Sequence, residues 1–260
     1  MQFVLNVVAL FVEIALIGGA AFVGAKHPEW FAALAVLVAF SSGVTMDYAR
    51  LAHEMPFYFG RALSGIRSSL ARAWATTEAL FKATFAGFIG LLTFSGTDQA
   101  RLDYTAVLFA VCVLVGTSVL TRISFRWGQG ALRWGYFRLA LPLGILFSAG
   151  VYAMGESGLI QQASAASLAG DIIFNLAQSP DIKTASEFLF RLGQATDNLI
   201  GTMLGFAVPA EYVPIVQIVA STNVLPGFVI AAFVVAITRL VFLIQGRKVT
   251  PVQPDGSHSA

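Results

Sequence analysis

Charge is what this sequence has least of. Asp, Glu, Lys and Arg together make up 12% of its 260 residues, about half the ~25% usual in soluble domains. So few charges cannot cover a globule with polar surface. With 57% hydrophobic residues and a mean hydropathy of +0.76, most of the chain must face lipid. Cysteine is nearly absent too. Cys112 stands alone in an apolar run, so no intrachain disulfide is possible. The histidines, His27, His53 and His258, are scattered, and with one cysteine they make no zinc site of ordinary type. Gly-rich phosphate loops, His-Glu-x-x-His and Gly-x-Ser-x-Gly are all missing. These absences argue against a soluble enzyme with a cofactor or metal. The lack of a Ser/His/Asp or paired-carboxylate constellation in the apolar runs argues against an intramembrane enzyme. The net charge of +2 is too small to point to nucleic acid.

What is present is a series of runs long enough to span a bilayer, for which about 20 predominantly apolar residues are needed. Six are expected, at roughly 3–24, 30–46, 79–95, 104–121, 139–155 and 227–245. Arg50, Arg61, Arg67 and Arg72 lie between spans two and three, and Arg122, Arg126, Arg133 and Arg138 between spans four and five. Arg247 and Lys248 follow span six. By the positive-inside rule these segments share the cytoplasm, which puts both termini inside. Trp30, Trp74, Trp127, Trp134, Tyr104 and Tyr212 fall near span ends, where amphipathic rings prefer the headgroup level. The expectation is an all-α polytopic integral membrane protein, N-in and C-in. It is one transmembrane domain over 1–248 with a disordered cytoplasmic tail over 249–260, and its overall character suggests a bacterial inner membrane. An alternative for the first span is a signal peptide cleaved after Val23-Gly24-Ala25. No Lys or Arg precedes it and Glu13 interrupts it, both against that reading.

The connecting segments carry their own patterns. In the cytoplasmic stretch after span two, Leu51, Met55, Phe59, Leu63, Ile66, Leu70 and Trp74 recur every three or four residues, with the arginines off the stripe. That predicts a basic amphipathic helix lying on anionic lipid headgroups. The arginines of 122–138 also recur at helical spacing, but outside the apolar run, where they act as topology determinants and not as gating charges. The outer segment of about 157–210 predicts an amphipathic helical hairpin. Leu168, Ile172 and Leu176 line one helix; Phe188, Leu192, Ala195, Leu199 and Met203 line the other, which starts at Ser179-Pro180-Asp181.

Two features stand out as candidate sites. The apolar run of about 213–244 is too long for one straight span, ~48 Å at 1.5 Å per residue against a hydrocarbon core of ~30 Å. It is interrupted by Ser221, Thr222 and Asn223 and then by Pro226 and Gly227. A short helix over about 212–220, a break, and a final span follow. Either the short helix lies at the outer interface, or it dips in as a re-entrant half-helix whose break lines a cavity. The second candidate is Glu13, mid-span with Asn6 two turns earlier on the same face, which must pair with a partner helix or serve as a proton or cation site. Glu78 and Lys82, at i and i+4 near the inner interface, read as a structural ion pair. Asp47, His53 and Glu54 lack the ligand count for a metal and read as a solvated loop. Gly18, Gly19, Ala20, Ala21, Gly87 and Gly90 suit close helix packing, within a bundle or a homo-oligomer.

The function expected from these residues is that of a channel or transporter subunit for an ion or small solute. The alternative is a non-catalytic scaffold or anchor subunit of a larger envelope or secretion complex. Anionic lipid at the cytoplasmic face and copies or partners within the membrane are the expected contacts.

Overall fold

A computed structural model of the chain describes residues 2–59, 67–96, 98–127, 130–159 and 182–246. All of its regular structure is helical, with no strand among the described residues. In chain order the helices are α1 (Gln2–Lys26), α2 (Pro28–Phe59), α3 (Arg67–Thr93), α4 (Gln99–Trp127), α5 (Gly130–Glu156), α6 (Ile182–Ala207), α7 (Val213–Ala220) and α8 (Pro226–Ile244). A 3-10 turn over Thr222–Val224 joins α7 to α8. The C-terminal tail over 249–260, the first helix of the expected outer hairpin and the Ser179-Pro180-Asp181 start lie outside the described residues.

Five helices are long and apolar enough to cross a membrane, over Phe3–Lys26, Pro28–Tyr48, Gln99–Ser124, Arg138–Glu156 and Thr222–Ile244. The sixth expected span, 79–95, falls in α3 and does not reach that standard. Because α3 ends at Thr93, any 18-residue window within it takes in both Glu78 and Lys82.

α8 is the centre of the bundle. Buried residues make up 67% of its span against 28–39% in the other four, and it packs against each of α1 to α5. The reason is its composition: Gly-Phe-Val-Ile-Ala-Ala-Phe-Val-Val-Ala-Ile is apolar all round, so no face of it needs the surface. Phe233 stacks on Phe31 of α2 with ring centroids 5.7 Å apart, and meets Phe109 of α4 edge-on at 5.5 Å. Phe94 completes this knot, 4.5 Å from Phe31. It also fills the space over Gly24, where an added methyl would sit 2.5 Å from the ring.

α2 and α3 form the most extensive helix pair. Ala71, Ala75, Ala79 and Ala83 recur every fourth residue on α3 and are buried. Ala79 lies 3.1 Å from a Cβ built on Gly43 of α2, and Ala71 and Ala75 are buried with Leu51. Small side chains let the backbones approach, which supplies the van der Waals contact that holds helices together in lipid. Gly87 and Gly90 take part in this way, against Val36 and Ala35. Gly18 and Gly19 do not: nothing lies within 4 Å of either.

Gly43 meets Ala79, and Gly87 meets Val36. The second half of α3 therefore runs antiparallel beside the apolar half of α2. The expected amphipathic helix after span two is divided between two helices of this hairpin, which pack on each other. Leu51 is buried with Ala71 and Ala75, while Leu70 and Trp74 stay exposed.

The turn from α3 to α4 uses Gly96 at φ +97°, a conformation open to glycine. Asp98 then caps α4 by accepting from the Ala100 N–H at 3.1 Å. Lys26 reaches Asp103 at 3.3 Å, and Gln99 donates to the Ala25 carbonyl at 3.2 Å. Lys26, Phe94 and Gln99 thus mark one end of the bundle, here called the upper end. α5 runs up beside α4, with Leu143 near Gly116 and Gly150 near Leu108, so Glu156 also lies at the upper end. Pro142 belongs to the interior of α5 and not to its first turn, because the helix already begins at Gly130.

Candidate functional site

The interruption between α7 and α8 is built residue by residue. Ser221 is extended, at φ −63° and ψ 148°, and this one residue swings the chain out of α7. Its hydroxyl then accepts from the Asn223 N–H at 3.0 Å, capping the 3-10 turn. Pro226 opens α8 at a position where no N–H is needed. Gly227 follows because α8 starts against α5: an added methyl there would press into the Ala140 carbonyl and lie 2.6 Å from the Gly144 Cα. A methyl on Gly144 would in turn press into the Val224 carbonyl.

One carboxylate holds this break in place. Asp197 of α6 accepts from the Thr222 N–H at 2.7 Å, from the Ser221 hydroxyl at 2.9 Å and from the Asn223 side-chain amide at 3.0 Å. These three bonds take up both carboxylate oxygens and give the freed backbone N–H a partner, as a helix interruption away from water requires. From the other side, the Ser148 hydroxyl of α5 donates to the Ile218 carbonyl at 2.7 Å, serving one of the orphan carbonyls at the end of α7.

Depth follows from the partners. Ser148 and Gly144 lie eight and twelve residues before the end of α5 at Glu156, roughly 12 and 18 Å along a helix rising 1.5 Å per residue. The break is therefore level with the middle of α5 and well inside the bundle.

Beside it is a cavity of about 130 Å³ with mixed walls, apolar at Leu92, Phe147, Val151 and Ile218. Ser221, Thr222, Asn223 and Pro226 line it, with Asp197, Gln194, Arg101, Thr105, Ser148 and Gln217. Gly227 lies beneath it, at the α5 contact. Past the break, α8 is buried over Val229–Val235.

The polar wall explains the orientation of α6. Its apolar stripe faces away from the bundle, with Phe188, Leu192, Leu199 and Met203 exposed, the last at 62%. The opposite face, carrying Gln194 and Asp197, turns inward to the cavity. The glycines on that face keep the walls close: Gly193 lies against Thr222 and Gly201 against Gln217. Gly205 faces open space, so the Gly201-x-x-x-Gly205 pair does not act as a unit.

The remaining candidates lie elsewhere. On α1, Asn6 is exposed and Glu13 half-buried; among the described residues neither has a hydrogen-bond or ion-pair partner, and neither borders the cavity. Glu78 and Lys82 sit at the lower end, 3.0 Å apart, within a wider network. Lys82 grips both oxygens of Asp47 at 2.9 Å, and Arg50 donates to Glu78 at 2.7 Å while lying 4.0 Å from Glu54. Asp47, read from sequence as part of a solvated loop, is buried within α2. Burial alone would raise the Glu78 pKa, but the hydrogen bonds from Lys82 and Arg50 and the charges of both outweigh it and hold the group below the ordinary glutamate range. No group of three or more potential metal ligands occurs among the described residues.

Asp197 and Arg101 were not singled out by sequence, where both read as ordinary outer-loop charges. The one signal was the polar row Gly193, Gln194, Asp197 and Gly201 opposite an apolar row, since small and polar residues at helical spacing mark an interface in lipid. No family model, no curated protein and no solved structure matches this chain.

Proposed function

We propose that this is a six-pass inner-membrane protein of bacterial type, with both termini in the cytoplasm, that takes a small polar solute or ion into the cavity beside its helix break and so acts as a transporter subunit. The observation that carries the reading is the Asp197-clamped interruption, level with the middle of α5 and lining the cavity. Irregular backbone at membrane depth is tolerated where it lines such a cavity, and broken helices build the binding sites of many carriers.

α3 supplies the sixth pass in this reading. Its second half lies along the apolar half of α2, and a helix so closely paired shares its neighbour's surroundings. The lower end is then cytoplasmic, where the arginines of 50–72 and 122–138 meet anionic lipid. Because α8 fills the axis, solute passage calls for a change of packing around α8, as in a carrier, and not for a standing pore.

Reconstitution into liposomes tests this directly. Uptake of ions or small polar solutes should occur above that of empty vesicles, and Asp197→Asn should reduce it severalfold. A protein that is folded in the vesicles yet passes nothing would end the transport reading.

A second reading has its own support. The outward faces of α6 and α7 expose Phe206 at 90%, Met203 at 62% and Ile215 at 62%, a surface suited to other membrane helices in a larger assembly. Mass spectrometry of the protein purified in mild detergent separates the two: reproducible membrane partners favour the scaffold role.

A further inference from the structure

We propose that the solute held in this cavity is anionic, a small molecule with a carboxylate or a comparable single negative charge, and that Arg101 is the residue that binds it. This rests on the cavity reading given above and adds the class of ligand.

The Arg101 guanidinium offers five N–H donors in a planar fork. One group, Nη1, donates to the Ser95 carbonyl at 2.9 Å. The plane lies over the Phe190 ring of α6, 3.5 Å from its centroid, which fixes its orientation and shields one face from water. Among the described residues no carboxylate comes within the 4.0 Å of an ion pair. The fork borders the cavity with donors to spare.

Of the acids nearest the cavity, Asp98 and Glu187 act on Arg101 by charge alone from beyond 4 Å, and Glu187 keeps one oxygen without a hydrogen-bond partner. Asp197 accepts from the three donors of the helix break. Asp98 caps α4. Glu187 is paired with Arg191 at 3.2 Å. The cavity thus holds one cation with no counter-ion within 4 Å and one carboxylate engaged by three donors.

A charge in a poorly hydrated wall is costly without a partner, and a bound anion supplies one. The planar fork matches a carboxylate with two parallel bonds. Neighbouring donors can complete the shell: the Thr105 hydroxyl and the Gln194 side-chain N–H groups. A volume of about 130 Å³ admits a small solute.

Charged thiol reagents read the sign of the cavity without knowledge of the natural solute. Asn198 lines it and can carry the reporter as Asn198→Cys, with the native Cys112 fully buried as a silent background. The probes are sulfonatoethyl methanethiosulfonate, an anion, and its trimethylammonium counterpart, a cation. Their rate ratio is compared with that of free 2-mercaptoethanol in the same buffer. The ratio should favour the anion, fall about tenfold with Arg101→Gln, and be retained with Arg101→Lys. Millimolar acetate should slow labelling only where residue 101 is cationic. A ratio equal to the free thiol's, or a preference for the cation, overturns the anion site even if Arg101→Gln fails to fold, since the parent protein already gives that result. No reaction with either reagent means that the cavity is closed to solute, and overturns the reading on which this one rests.

Discussion

At the scale of single residues, Asp197 has the widest reach. One side chain replaces the backbone partners that Ser221 to Asn223 forfeit when the helix stops. Asp197→Ala should cost about 1–3 kcal/mol, because it strands a half-buried N–H, a hydroxyl and an amide at once. Asp197→Asn, which keeps an acceptor, should cost less. Unfolding by denaturant in mixed micelles measures both. Glu78 makes a different prediction. Its folded pKa is depressed, so its contribution is present above the unfolded value of ~4.3 and is lost as pH falls through the lower, folded value. Glu78→Gln should therefore lower stability at neutral pH and flatten its decline in acid, seen by comparing melting curves across that window. Sequence spacing revealed the Glu78–Lys82 pair because both partners share a helix. It could not reveal that Asp197 serves residues more than twenty positions away, since no local pattern encodes that distance.

At the scale of helices, packing is decided by where side chains are missing. α5 and α8 touch through Gly144 and Gly227, and α2 and α3 through alanines and glycines. Gly227→Val and Ala83→Leu should each destabilise by about 1–3 kcal/mol or more, as overpacking does. Gly18→Leu should be nearly neutral, for it enters open space on α1. The same unfolding assay ranks the three, and equal effects at all sites would contradict this packing. The break itself was legible, since Ser-Thr-Asn before Pro-Gly interrupts a run too long for one span. The orientation of α6 was not. An apolar stripe looks the same in sequence whether it faces protein or lipid, and here the row Phe188, Leu192, Leu199 and Met203 points away from the bundle.

For the molecule as a whole, hydropathy alone gave the helical membrane plan, because runs such as 104–121 and 227–245 permit little else. Which helix would lie at the middle was only weakly encoded, in the all-round apolar surface of α8. The arginine-rich segments predict that single cysteines at positions 61 and 126 are labelled from the same side of the membrane, and that one at 205 is labelled from the other. Intact cells treated with an impermeant maleimide give the answer.

The central place of α8 also constrains biogenesis. The helix on which α1 to α5 all pack is the last of the described helices to leave the ribosome, several seconds after α5 at ordinary rates of translation. Until then Phe31, Phe109 and Gly116 lack the Phe233 and Val234 side chains they pack on in the folded chain. A nascent chain released before Pro226 should never reach a protease-resistant state, and should be degraded quickly, whereas loss of α1 from the periphery should be survived far better.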